Sequence, residues 1–203
     1  MHEQTMPTQV KLLLHLAFEH PELLPGVLMT PLLEASAGIP FQERVLYHQL
    51  HQLKAAIPEL VLDQGEPVLE RKVLLQGKEN GISYLYTEWL IVPDVLPLCV
   101  SIRLLQGREA LEMLIQECRL PTFREIIAYG RACLGEIADQ AVAAHFGTGL
   151  HAEVLYRTAL LYITQRPHCA AMGLTEMLPL ACVAEQPGAS LLDPEQFRTQ
   201  PLS

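Results

Sequence analysis

The sequence predicts an α+β fold with a single, mostly antiparallel sheet. Three observations lead there. Apolar periodicity places helices first, then a hairpin, then more helices, then two strands, with no β-α-β alternation of the kind that builds parallel sheets. Residues 69–75 and 83–92 flank a spacer, Gln76-Gly77-Lys78-Glu79-Asn80-Gly81, whose Asn-Gly pair is a strong hairpin signal. Half of the 203 residues are hydrophobic and only 18% are charged, enough for a full-sized core.

Taken in order, residues 8–20 read as an amphipathic helix with Val10, Leu13, Leu14 and Ala17 on one face, stopped by Pro21. A second short helix spans residues 27–37, ended by Gly38 and followed by Pro40. Residues 41–53 fit two patterns. Val45, Tyr47 and Gln49 alternate as in a strand, while Leu46, Leu50 and Leu53 suit a helix; we favour the strand. Residues 60–63 are read as an extension of the same sheet. After the hairpin, Pro93 closes the second strand, and residues 94–105 form a loop with a short helix. A helix over 109–116 follows Gly107. Pro121-Thr122 is read as opening a longer helix over 123–134, with another over 136–145. Residues 154–163 and 169–180 are the last two strands. Residues 1–184 are expected to form one domain. Residues 185–203, with three prolines and few apolar side chains, are expected to form a flexible tail.

Charge and cysteine usage exclude several classes of function. A formal net charge of −9 argues against a nucleic-acid backbone or an anionic membrane surface as partner. It also means that an anionic ligand would need local arginines. The five cysteines are odd in number and lack a Cys-x-x-Cys pair, so reduced thiols in a cytoplasmic protein are the simplest reading. The first apolar run, residues 12–18, is short and broken by His15, unlike a signal peptide. No apolar stretch reaches the ~18 residues of a membrane span. The eight histidines show no metal-ligand spacing, and no phosphate-binding glycine signature or nucleophile elbow occurs. No metal or cofactor is expected.

Two charged residues stand in apolar runs. Strand side chains alternate faces, so Glu176 shares one with Leu174, Leu178 and Leu180, and Arg71 shares one with Val73 and Leu75. An arginine can grip a carboxylate through two parallel hydrogen bonds. A carboxylate among apolar neighbours can act as acid or base, or hold a hydroxyl. The pair suggests a pocket for a small anion that carries a hydroxyl. Either residue could instead face water on a half-exposed sheet.

The segments around these residues resemble the chorismate pyruvate-lyases, also called 4-hydroxybenzoate synthases. The hairpin of residues 69–92, with Arg71 and its Ile91-Val92-Pro93 exit, resembles the family's central hairpin. Met29-Thr30-Pro31-Leu32-Leu33-Glu34 resembles its early helix. Thr122-Phe123-Arg124-Glu125-Ile126-Ile127 through Gly130-Arg131 resembles its central helix, and Leu174-Thr175-Glu176 its closing strand. The resemblance implies helices covering a buried ligand pocket on one antiparallel sheet. It implies a carbon–oxygen lyase that needs no cofactor and converts chorismate to 4-hydroxybenzoate and pyruvate. Arg71 then matches the arginine on the ring carboxylate, and Glu176 the glutamate at the ring hydroxyl. Met29 and Leu111 match contacts around the ring carboxylate. Arg124 and Arg157 are candidates for the second carboxylate.

Three departures accompany the resemblance. Ala110-Leu111-Glu112 stands where the family carries glycine in the third place. With Leu111 turned inward, its helical neighbour Glu112 lies about 100° round the axis and is expected to face solvent. The turn over residues 165–173 is longer than the family's, by an even number that preserves strand alternation. Trp89 stands where some members carry arginine. Two further readings remain open: an aromatic-acid-binding regulatory domain without catalysis, and a lyase for a related enolpyruvyl compound. No helix-turn-helix with a basic face precedes the domain in this sequence.

Overall fold

Six strands, all antiparallel to their neighbours, form one sheet in the order β1-β2-β3-β6-β5-β4. This computed structural model describes residues 14, 16–21, 29–163 and 170–180. The strands are β1 (Phe41–Gln52), β2 (Pro67–Gly77), β3 (Ser83–Ile91), β4 (Thr122–Cys133), β5 (Glu153–Ile163) and β6 (Ala170–Pro179). The helices are α1 (Met29–Ala37), α2 (Leu98–Leu105), α3 (Leu111–Glu117), α4 (Leu134–Ile137) and α5 (Gln140–Phe146). The first predicted helix survives in the described residues as a helical run over 16–19. The predicted tail and the longer turn before β6 fall largely or wholly outside the described residues.

The register lines up two rows of side chains across one face of the sheet. One runs Val45, Val73, Thr87, Glu176, Arg157, Tyr129. The next runs His48, Arg71, Trp89, Leu174, Ala159, Ile126. Two apolar clusters close this face. At one end α1 sets Met29 and Leu33 against Phe18, Phe41, Leu75, Leu85, Leu155 and Leu178. At the other, α2 and α3 set Val100, Leu104, Leu111 and Leu114 against Leu69, Trp89, Ile91, Leu161 and Leu174. Apolar area removed from water stabilises at about 25 cal/mol per Å². A buried polar group between such clusters costs free energy unless it is paired. Arg71, Thr87, Arg157 and Glu176 are buried there nonetheless. The opposite face is covered at one end by α4 and α5, whose Leu134, Val142 and Ala143 pack on Leu74, Tyr86, Val154 and Met177.

Three expected elements differ. Residues 60–63 do not extend the sheet: Pro58–Leu60 is a 3₁₀ turn, and only Ile57 and Leu62 form an isolated bridge. Pro58 fixes the turn, and Val61 at φ 56° breaks any extended run. Residues 122–133 are the edge strand β4, not a helix. The segment is rich in β-branched and aromatic side chains, and Gly130 at φ 153° lies outside helical backbone space. Pairing along β5 supplies the backbone partners that a helix would have supplied internally. The helix expected over 136–145 is two helices. Asp139 separates them, its carboxylate accepting from the N–H groups of Ala141 and Val142 at 2.9 and 3.1 Å.

Candidate functional site

β2, β6, β5 and β4 each send one charged side chain onto the α2/α3-covered face. Arg71, on β2, is only 2% exposed. Its Nη2 donates to Oε2 of Glu43 on β1 at 3.0 Å, and its Nη1 to Nδ1 of His48 at 3.4 Å. Burial and the adjacent Arg71 charge push the His48 pKa down, which keeps the imidazole neutral with an Nδ1 lone pair to accept. The α2–α3 turn closes against the same ring. Gly107 has φ 69°, and a Cβ there would stand 2.9 Å from His48 Cδ2. Glycine therefore serves the turn and the close approach at once.

Glu176, on β6, is also 2% exposed. Arg157, opposite it on β5, donates from Nε to Oε2. Arg157 Nη1 donates to the carbonyl of Ala17 at 3.2 Å, and its guanidinium lies 5.3 Å from the Phe18 ring centroid. Arg124, on β4, brings Nη1 to 3.7 Å from the same Glu176 oxygen. That nitrogen is buried and has no hydrogen-bond partner among the described residues. Both arginine contacts fall on Oε2, so Glu176 is an ion-paired carboxylate rather than a lone charge among leucines.

Glu112 faces inward, contrary to the expectation from helical angle. Its Oε2 accepts from the Thr30 hydroxyl at 3.2 Å. Burial and the nearby Glu176 charge push its pKa up to about 7, against the opposing pull of Arg124. The reason is position: the first turn of α3 points at α1, so both Leu111 and Glu112 border the interior. Leu111 is buried and lines the site as expected. Met29 packs into the apolar cluster with Phe41 and Leu85, and its neighbour Thr30 reaches the cavity instead.

Arg71 and Glu176 share a sheet face but open on different spaces. An open cleft of about 370 Å³ is lined by Arg71, Lys78, Arg108, Glu43, Thr30 and Glu112. A cavity of about 20 Å³, room for about one water, lies behind it between Glu176, Thr87, Trp89, Leu111 and Glu112. A third space of about 150 Å³ lies beside Arg124, Gln116, Trp89 and Leu161. Glu112 borders all three. Sequence reasoning missed Glu43, His48, Thr30 and the inward turn of Glu112. Alternation along β1 does not reveal its bulge between Val45 and Tyr47, which decides what faces Arg71. Among the described residues, no group of three or more His, Cys, Asp or Glu is placed to hold a metal ion. No helix among them is long and apolar enough to cross a membrane.

This arrangement is the chorismate lyase-like fold: one antiparallel sheet whose helices cover a polar interior. Several solved structures share it. PhnF from Mycobacterium smegmatis superposes with a TM-score of 0.57 at 15% identity, over 75% of this chain and 64% of that one. The C-terminal domain of the histidine utilization repressor from Pseudomonas syringae gives 0.55 at 11% identity, over 75% of this chain and 99% of that one. A GntR-family transcriptional regulator from Bacillus cereus gives 0.53 at 12% identity, over 80% of this chain and 98% of that one. At these identities the likeness is one of fold. In sequence, the chain is 30% identical over 81 residues to the chorismate pyruvate-lyase of Mycobacterium leprae. That match covers 40% of this chain, and the chain spans about two fifths of the relative's length (39%). No family model matches the chain.

Proposed function

We propose that the site binds a small aromatic acid with a ring hydroxyl, and that the chain is a lyase releasing pyruvate from chorismate. The observation that carries this reading is the pair of buried charges on one sheet face, Arg71 and Glu176, with apolar side chains between and around them. Arg71, held by Glu43, offers its guanidinium to a ring carboxylate. Oε2 of Glu176 is held by Arg157, which leaves Oε1 to accept the hydroxyl at the far end of the ring. Trp89 and Leu111 supply apolar walls. Arg124, with its unpartnered nitrogen, suits the carboxylate of the enolpyruvyl arm.

In the proposed reaction the bond between ring carbon 3 and the enolpyruvyl oxygen breaks. The hydrogen at ring carbon 4 leaves as a proton, the ring becomes aromatic, and the released enolate takes one proton on carbon to give pyruvate. Aromatisation supplies the driving force. The protein has to hold one conformer and place positive charge at the departing enolpyruvyl group. A ring does not fit a space of about 20 Å³, so binding requires Glu112 or Trp89 to move and join the cavities.

A second reading has its own support, because two of the structural neighbours named above are a repressor's C-terminal domain and a GntR-family transcriptional regulator. In that reading the same pocket binds an aromatic acid without turning it over. Calorimetry with 4-hydroxybenzoate tests the shared core of both readings. We expect binding by the wild-type protein and severe loss in Arg71→Ala. Equal affinity in the two proteins would remove Arg71 from the ligand site.

A further inference from the structure

Glu112 stands where the three spaces of the site meet, and every element around it brings a charge or a hydroxyl. Thr30 comes from α1, Glu43 from β1, Arg71 from β2, Arg124 from β4 and Glu176 from β6, while Arg108 and Lys78 reach the outer cleft from turns. Three carboxylates and three arginines balance around the inner cavities, Glu43, Glu112 and Glu176 against Arg71, Arg124 and Arg157, while Glu34, Lys78 and Arg108 line the open cleft. The balance is uneven in space. Glu43 lies 3.0 Å from Arg71, and Glu176 is bonded to Arg157. Glu112 has the Thr30 hydroxyl and, among the described residues, no cation within 4.0 Å. A ligand carboxylate adds a fourth negative charge. The least costly way to restore neutrality is a proton on the carboxylate with the weakest partner.

We infer that an aromatic acid binds this site together with one proton, taken up by Glu112, which turns from a repelling carboxylate into a hydrogen-bond donor. This rests on the proposed function, since it needs an anion at Arg71. The cost of protonation is small near neutrality because the Glu112 pKa already stands at about 7 in the empty site, and the ligand's charge raises it further. The linkage fixes the profile. Near pH 6 Glu112 already carries its proton and uptake approaches zero. At pH 7 it is about half a proton, and at pH 8 it approaches one. Affinity should be about tenfold weaker at pH 8 than at pH 6.

The test is calorimetry with 4-hydroxybenzoate at pH 6, 7 and 8, each in two buffers of different ionisation enthalpy, on the wild type, Glu112→Gln and Glu43→Gln. The expected result is the rising uptake above in the wild type, none in Glu112→Gln with an affinity flat in pH, and wild-type uptake in Glu43→Gln. Binding by the wild type at pH 8 without proton uptake overturns the inference and leaves the proposed function standing. Uptake that persists in Glu112→Gln but vanishes in Glu43→Gln overturns it in favour of Glu43. No binding by any of the three proteins at any pH overturns the proposed function and this inference with it.

Discussion

Arg157 donates from Nε to Oε2 of Glu176 across the β5–β6 pair, and both side chains are at most 2% exposed. The pair sits in the middle of the sheet, where water cannot compensate either charge. Removing Arg157 leaves Glu176 buried with only the looser contact to Arg124, at 3.7 Å, to compensate its charge. Arg157→Ala should therefore cost about 3–5 kcal/mol of folding stability. Adding Glu176→Gln to it should recover part of the loss. Urea unfolding of the single and double variants checks this. A single variant within about 1 kcal/mol of wild type would mean that the pair is not closed to solvent.

Arg71→Ala should weaken 4-hydroxybenzoate binding by on the order of 2–5 kcal/mol, the range for truncating one partner of a desolvated charge pair. Arg71→Lys should recover only part, since an ammonium cannot copy the two parallel bonds of a guanidinium. Titration calorimetry on the two variants gives the comparison.

Gly107→Ala probes the connection between the α2–α3 turn and Arg71. The alanine would sit at φ 69° with its Cβ 2.9 Å from His48. Backbone strain alone should cost roughly 1–2 kcal/mol. Displacement of His48 should also loosen its contact with Arg71, so ligand affinity and melting temperature should fall together. A fall in melting temperature with unchanged affinity would separate the turn from the site.

Glu112 makes stability depend on pH. Its carboxyl has a higher pKa folded, about 7, than the ordinary 4.5, so the folded state holds the extra proton between those values. By linkage, the stability associated with that proton is complete below about pH 4.5 and is lost as pH rises through 7. Glu112→Gln cannot ionise. It should match the wild type near pH 4 and exceed it by up to about 3 kcal/mol at pH 8, since each tenfold change in proton affinity is worth about 1.4 kcal/mol. Denaturant unfolding of both proteins at the two pH values tests this; a difference that does not grow with pH would place Glu112 in contact with water.

The central hairpin was legible because its two signals, Asn80-Gly81 and strand alternation, are local and agree. So were the faces of Arg71 and Glu176, since alternation depends on nothing outside the strand. β4 was not legible: Phe123 and Ile127 stand four apart, as on a helix face, and only pairing with β5 decides otherwise. The partners of the charges were hidden for a related reason. Glu43 reaches Arg71 through a register that includes a bulge, and Arg157 meets Glu176 through a pairing of the last two strands. Glu112 was misjudged because one helix was treated alone, without α1 and Thr30 against its first turn.

Turnover of chorismate tests the central claim most directly. Purified protein is incubated with chorismate without added metal, and the products are separated and quantified. The expected result is equimolar 4-hydroxybenzoate and pyruvate from the wild type, with at least a tenfold loss of rate in Glu176→Gln, the equivalent of about 1.4 kcal/mol in the barrier. Tight binding of 4-hydroxybenzoate with no product above the uncatalysed background would contradict the lyase and leave a ligand-binding domain.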